Sequence, residues 1–161
     1  MKELEIKTLY RFDKLLSIIK GKISEQYVSC DVKNSVHYCE IFFLPKELEH
    51  KIFIRLECIL DSQIDQTPHN YKYGITYGLC QDKNSKVIYR GSDTDKIMQN
   101  LFLECMNLSN DALNKDEMSP SWLFWFRLDS NYDLNEFVDN LIVLRDRIIQ
   151  EFGNNICLLC V

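Results

Sequence analysis

The chain has 161 residues, 46% of them hydrophobic and 27% charged, the size and balance of one globular domain that builds its own core. This excludes a disordered or fibrous composition. The net charge of −5 sets the chain against phosphate backbones and disfavours a broad nucleic-acid surface, leaving only a local basic patch open. With five Gly and three Pro there is little material for long linkers, so residues 1–161 read as a single domain.

In chain order, Leu9, Phe12, Leu16, Ile19 and Ile23 recur at spacings of three and four, which predicts a helix over 4–20 stopped near Gly21. Residues 27–33 and 36–44 read as strands, the second closed by Pro45. Over 51–60, Ile52, Ile54, Leu56, Cys58 and Leu60 share one face, and Phe53, Arg55, Glu57 and Ile59 the other. Asp61 to Asn70 is a polar loop containing Pro68. Residues 71–80 form another strand, with Tyr71, Tyr73, Ile75, Tyr77 and Leu79 on one face. Gly74 and Gly78 lie on the other, a face open to close approach, most simply by a helix. After a turn at 81–86, residues 87–90 read as a short returning strand.

Ser92, with Asp95 three residues on, is a capping-box variant that opens a helix over 93–108 with Ile97, Leu101, Phe102, Cys105 and Leu108 as its stripe. A polar loop leads to the strand Trp122–Leu128, in which strict alternation puts Trp122, Phe124 and Phe126 on one face and Leu123 and Trp125 on the other. Asp133 and Glu136 cap a second helix whose stripe runs Leu134, Phe137, Val138, Leu141, Leu144 or Arg145, Ile148 and Phe152, with Gly153 as its stop. Ile156–Val161 reads as a buried final strand. Short connections between the middle strands predict an antiparallel meander, and the helices then cover one face of a two-layer α+β domain.

The seven Cys are scattered and odd in number, the pattern of a reducing compartment rather than of a disulfide scaffold. No run reaches the ~18 apolar residues of a membrane span. The charged opening MKELEIKTLYRFDK has no apolar leader core, so a soluble, cytoplasmic chain without membrane partner is expected.

Chemical motifs are sparse. Cys157-Leu-Leu-Cys160 is the only CxxC. It has no second pair to complete a zinc site and does not open a helix as a redox motif does, so two buried cysteines are the simplest account. His37, His50 and His69 are the whole histidine supply, and their spacing demands no metal. Phosphate-loop, dinucleotide-binding, nucleophile-elbow and HExxH patterns do not occur, so no cofactor is implied. Asp31-Val32-Lys33 is a D-x-K pair of the kind with which a metal-dependent nuclease binds its cation and orients water. Its upstream acidic partner is missing, since the nearest candidate, Asp13, falls within a helix. A solvated strand-end pair is the plainer reading. The aromatic residues Trp122 and Trp125, with Tyr71, Tyr73 and Tyr77, are either core packing or a contact surface for a partner.

The order of a Glu-bearing strand (Ile54–Glu57), an aromatic-Gly strand (Tyr71–Ile75), a helix, a Trp-x-x-Trp strand (Trp122–Trp125) and a long amphipathic helix resembles the region C-terminal to the catalytic core in bacterial PD-(D/E)XK nuclease-like proteins. The likeness covers roughly residues 50–153. About fifty residues precede it, too few for that family's catalytic core. The resemblance therefore implies an accessory or binding module without its nuclease, such as a protein-binding regulator or antagonist in bacterial defence or a mobile element. A small nuclease using Asp31 and Lys33, or a nucleic-acid-binding accessory domain, is the alternative. The missing catalytic signatures favour binding over chemistry.

Overall fold

The computed structural model describes residues 3–48, 51–60, 73–84, 87–115, 121–153 and 155–156. Helix α1 (Glu3–Lys22) is followed by strands β1 (Val28–Lys33), β2 (Val36–Phe42), β3 (Ile52–Ile59) and β4 (Gly74–Gln81). Then come α2 (Asp93–Cys105), β5 (Trp122–Leu128) and α3 (Leu134–Phe152). The strands form one sheet in the order β1-β2-β3-β4-β5, and every neighbouring pair is antiparallel. The expected α+β meander is therefore what the chain builds. Among the described residues no helix is long and apolar enough to cross a membrane.

All three helices bury their stripes against the same sheet face. Phe12, Leu15 and Ile19 of α1, Met98 and Phe102 of α2, and Phe137, Leu141, Leu144 and Ile148 of α3 join Ile52, Ile54, Leu56, Cys58, Ile75 and Leu79 in one apolar cluster. Each such side chain contributes about 1.5–3 kcal/mol on leaving water. The aromatic residues at its centre meet edge-on: Phe102 lies 4.9 Å from Phe124, and Tyr77 lies 4.8 Å from Phe137.

The ends of the elements are set locally. Asn34 and Ser35 take φ of 52° and 64°, the two left-handed positions that a tight type I′ turn needs to join β1 to β2. Ser92 Oγ accepts from the Asp95 N–H at 3.3 Å, and Asp95 reaches back to accept from the Gly91 N–H at 2.8 Å. Asp133 Oδ1 accepts from the Glu136 N–H at 2.9 Å.

Four sequence expectations change. Gly21 lies inside α1 rather than ending it, since an exposed glycine in a helix costs only about 1 kcal/mol. In α2, Met98 takes the buried position and Ile97 is exposed. Residues 87–90 form no strand, because the Gln81 side chain does the pairing. Its Nε2 donates to the Ile88 carbonyl at 3.2 Å and its Oε1 accepts from the Ile88 N–H at 3.0 Å. Ile156, the expected start of a last strand, is instead helical and buried. Tyr71, His50, His69, Pro68, Cys157, Cys160 and the rest of that strand lie outside the described residues.

The largest correction concerns β5. Leu79 pairs with Phe124 but Cys80 pairs with Trp122, so Leu123 is an extra residue. Such a bulge puts two residues opposite one and reverses the alternation beyond it. Leu123 and Phe124 thus both enter the helix-side core, and Trp122 joins Trp125 on the opposite face, where both pack with Cys80 and Phe53.

Candidate functional site

The five aromatic residues do not assemble as one exposed surface. Trp122 and Trp125 keep 4% and 8% of their surface, and Tyr77 keeps 2%. Tyr77 belongs to the helix-side core, because the period-2 geometry of β4 that aligns it with Ile75 and Leu79 turns it inward. Trp122 and Trp125 are held by β5 on the other face. Tyr71 is outside the described residues. Tyr73 is the one described member that is partly exposed.

Tyr73 lines a groove of about 760 Å³ at one end of the sheet. The first turns of α1 supply Leu4, Lys7, Thr8 and Arg11, and the ends of β4 and β5 supply Tyr73, Ile75, Arg127 and Leu128. Arg127 Nη2 donates to the Tyr73 carbonyl at 2.9 Å. Its guanidinium has room to lie there because Gly74 has no side chain: a Cβ would stand 3.3 Å from Arg127 Nε. Arg11 Nη2 donates to the carbonyls of Asp129 at 2.7 Å and Tyr132 at 3.1 Å, which ties α1 to the loop before α3. Burial pulls the Arg11 pKa down, and the nearby Asp129 carboxylate works against that shift. Among the described residues that line the groove are three cations, Lys7, Arg11 and Arg127, and one carboxylate, Asp129, with Lys7 also paired to Glu3 one turn away at 3.1 Å, although the chain as a whole is acidic.

Asp31 and Lys33 are exposed on the edge strand β1. Asp31 Oδ1 accepts from the Val32 N–H at 2.7 Å, and the cross-strand neighbour of Asp31 is Tyr38, which in turn faces Glu57. Two strand spacings, about 9–10 Å, therefore separate Asp31 from the nearest acidic residue in its row. Asp13 lies on α1, across the sheet from this face. Among the described residues no group of three or more His, Cys, Asp or Glu side chains converges as metal ligands.

The second face holds a polar cluster that the sequence did not reveal. Arg55 Nε meets Glu57 Oε1 at 2.8 Å and its Nη1 meets Glu40 Oε2 at 3.4 Å. The Arg55 guanidinium stands 4.1 Å over the Tyr38 ring. Burial pushes both carboxyl pKa values up despite Arg55. Burial lowers that of Arg55, and Glu57, Cys80 and Glu40 outweigh it. The Arg55–Glu57 spacing is visible on β3, but Glu40 arrives only through the β2–β3 register. Lys33, Asn34, Ser35, Val36, Arg55 and Glu57 line a cavity of about 630 Å³ here.

Compared with known protein families, curated proteins and solved structures, the chain matches none.

Proposed function

We propose that this chain is a non-catalytic protein-binding module that takes an acidic, partly apolar peptide segment of a partner into the groove beside Tyr73. The observation that carries this reading is the charge of the groove: Lys7, Arg11 and Arg127 gather in an acidic chain, next to the exposed side chain of Leu4 and the half-buried Tyr73. Arg and Tyr are the residue types that dominate interface energies. Complementary charge at a rim raises association rates and selects against wrong partners. A nucleic acid fits less well, because its affinity grows with the number of phosphates neutralised and the described lining of this groove offers three cations.

The reading is tested by titrating the labelled chain with a peptide of alternating Glu and Leu or Trp residues, and separately with a short thymidine oligonucleotide. Backbone amide shifts are followed in both. Binding of the peptide should move signals at residues 4–11, 73–75 and 127–131. Shifts in that set with the oligonucleotide alone, or none with either, would contradict it.

A further inference from the structure

Cys30 of β1 and Cys39 of β2 stand directly opposite each other in an antiparallel ladder, and their sulfurs share a hydrogen bond at 3.1 Å. Cα atoms in such pairs are about 4.5–5.5 Å apart. That lies inside the roughly 4.4–6.8 Å that a disulfide spans. The register and the 3.1 Å sulfur separation therefore both fit a cross-strand disulfide.

The two thiols differ in access. Cys39 has no exposed surface. Cys30 is half-buried and lines a cavity of about 360 Å³ with Lys20, Ile23, Glu25 and Val28. They differ in proton affinity too. The hydrogen bond with Cys39 lowers the Cys30 pKa to about 7 against the opposing effect of burial, helped by the ammonium groups of Lys20 and Lys46. The same hydrogen bond, with burial, pushes Cys39 far up. In the fully reduced pair Cys30 Sγ donates to Cys39 Sγ; once Cys30 is deprotonated, Cys39 keeps its proton and becomes the donor toward the Cys30 thiolate. Among the described residues Glu25 is the one carboxylate lining the cavity.

We propose that Cys30 and Cys39 form a two-thiol redox site that reacts with a hydroperoxide, with Cys30 as the attacking thiol and Cys39 as the resolving thiol. The Cys30 thiolate attacks the terminal peroxide oxygen. The O–O bond breaks, the leaving alkoxide or hydroxide takes a proton to become alcohol or water, and Cys30 is oxidised by two electrons to a sulfenic acid. Cys39 then loses its proton and attacks the Cys30 sulfur. The S–O bond breaks, hydroxide leaves with that proton as water, and the cross-strand disulfide forms. In total, two thiols and one hydroperoxide give one disulfide, one alcohol (or water) and one further water. The thiolate is the nucleophile in such steps, and a partly exposed cysteine near cations is the kind that reacts.

The neighbouring cysteines provide the controls. Burial pushes Cys58 up to about 12 and Cys80 well above its ordinary value, so both should stay reduced. Cys105 is partly exposed, its sulfur accepts from Arg147 Nη1 at 3.7 Å, and no hydrogen bond joins it to another of the described cysteines.

The experiment oxidises the folded, reduced full chain with hydrogen peroxide, alkylates the remaining thiols and maps the peptides by mass. The expected product joins the Cys30 and Cys39 peptides and is lighter by two hydrogen atoms than the reduced pair. Cys39→Ser should instead accumulate a Cys30 sulfenic acid that dimedone captures, and Cys30→Ser should lose the cross-link and leave Cys39 reduced. The proposal is overturned if Cys30 and Cys39 are both recovered alkylated when other cysteines have been oxidised, if Cys30 pairs with another cysteine, or if Cys39 is oxidised in the Cys30→Ser chain. Should Cys39→Ser fail to fold, native alkylation of the wild type with iodoacetamide decides. Cys30 must react ahead of Cys58 and Cys80, with a rate rising through a pH of about 7. Equal reactivity of the three overturns it as well.

Discussion

Gly78 lies directly opposite Trp125 in the β4–β5 ladder, and a Cβ on Gly78 would stand 2.7 Å from the Trp125 Cα. The close approach that the glycine permits is thus by the backbone of the neighbouring strand, not by a helix as the sequence pattern implied. It coincides with the bulge at Leu123, which brings Trp122 and Trp125 onto one face. Gly78→Ala has to push β5 outward. Overpacking of this kind costs about 1–3 kcal/mol, and backbone on the receiving side should place it at the upper end. Urea unfolding at constant m-value measures it; an unchanged midpoint would show that the strands relax freely.

Arg55 holds two carboxylates, the buried Glu57 and the half-buried Glu40. Replacing it by Met leaves both without their cation, and breaking a buried pair in this way costs about 3–5 kcal/mol. Glu57→Gln removes a charge whose burial is itself unfavourable and should cost much less. The pH dependence follows from the raised pKa values. A carboxyl whose folded pKa lies above its unfolded value contributes stability that is full below the unfolded pKa and is lost as pH rises through the folded one. Without Arg55 those values rise further. The Arg55→Met deficit should therefore be larger at pH 7.5 than at pH 5, as thermal unfolding at the two pH values will show.

Gln81 substitutes for a strand partner at Ile88. Gln81→Leu keeps the volume but strands a buried N–H and a buried carbonyl, at about 1–3 kcal/mol for each unsatisfied group. Amide hydrogen exchange at Ile88 should rise sharply in the variant while the exchange of β3 changes little.

The helix caps give a smaller and separable effect. Ser92→Ala and Asp133→Ala each remove an acceptor for a first-turn N–H, worth about 1 kcal/mol. The caps belong to different helices and share no partner, so the double variant should show the sum within about 0.5 kcal/mol.

These cases also mark what was legible in the sequence. The caps at Ser92 and Asp133, the alternation of β3 and the stripe of α3 are local patterns, and a chain read in order reveals them. The tight β1–β2 turn at Asn34 and Ser35 is also a local pattern, whereas β4 reaches β5 only through α2, so that last antiparallel pairing is not given by loop length. The bulge at Leu123 was hidden because it arises from pairing with β4, and a strictly alternating reading of Trp122–Leu128 put the two tryptophans on opposite faces. Glu40 beside Arg55, and Cys30 beside Cys39, depend in the same way on register between strands. The groove joins α1 to β4, β5 and the loop before α3, elements more than a hundred residues apart in sequence at their extremes, so among its residues Tyr73 alone is a contact-surface candidate on sequence grounds.

A groove that reads acidic peptides is tested most directly by selecting a displayed random peptide library on the immobilised wild-type chain, with a Lys7→Glu/Arg127→Glu chain of matching circular dichroism as the counter-target. Recovered peptides should carry Asp or Glu beside a bulky apolar residue, and the doubly reversed chain should not retain them. Recovery of no consensus, or of peptides that bind both chains equally, would contradict the proposed role of the groove.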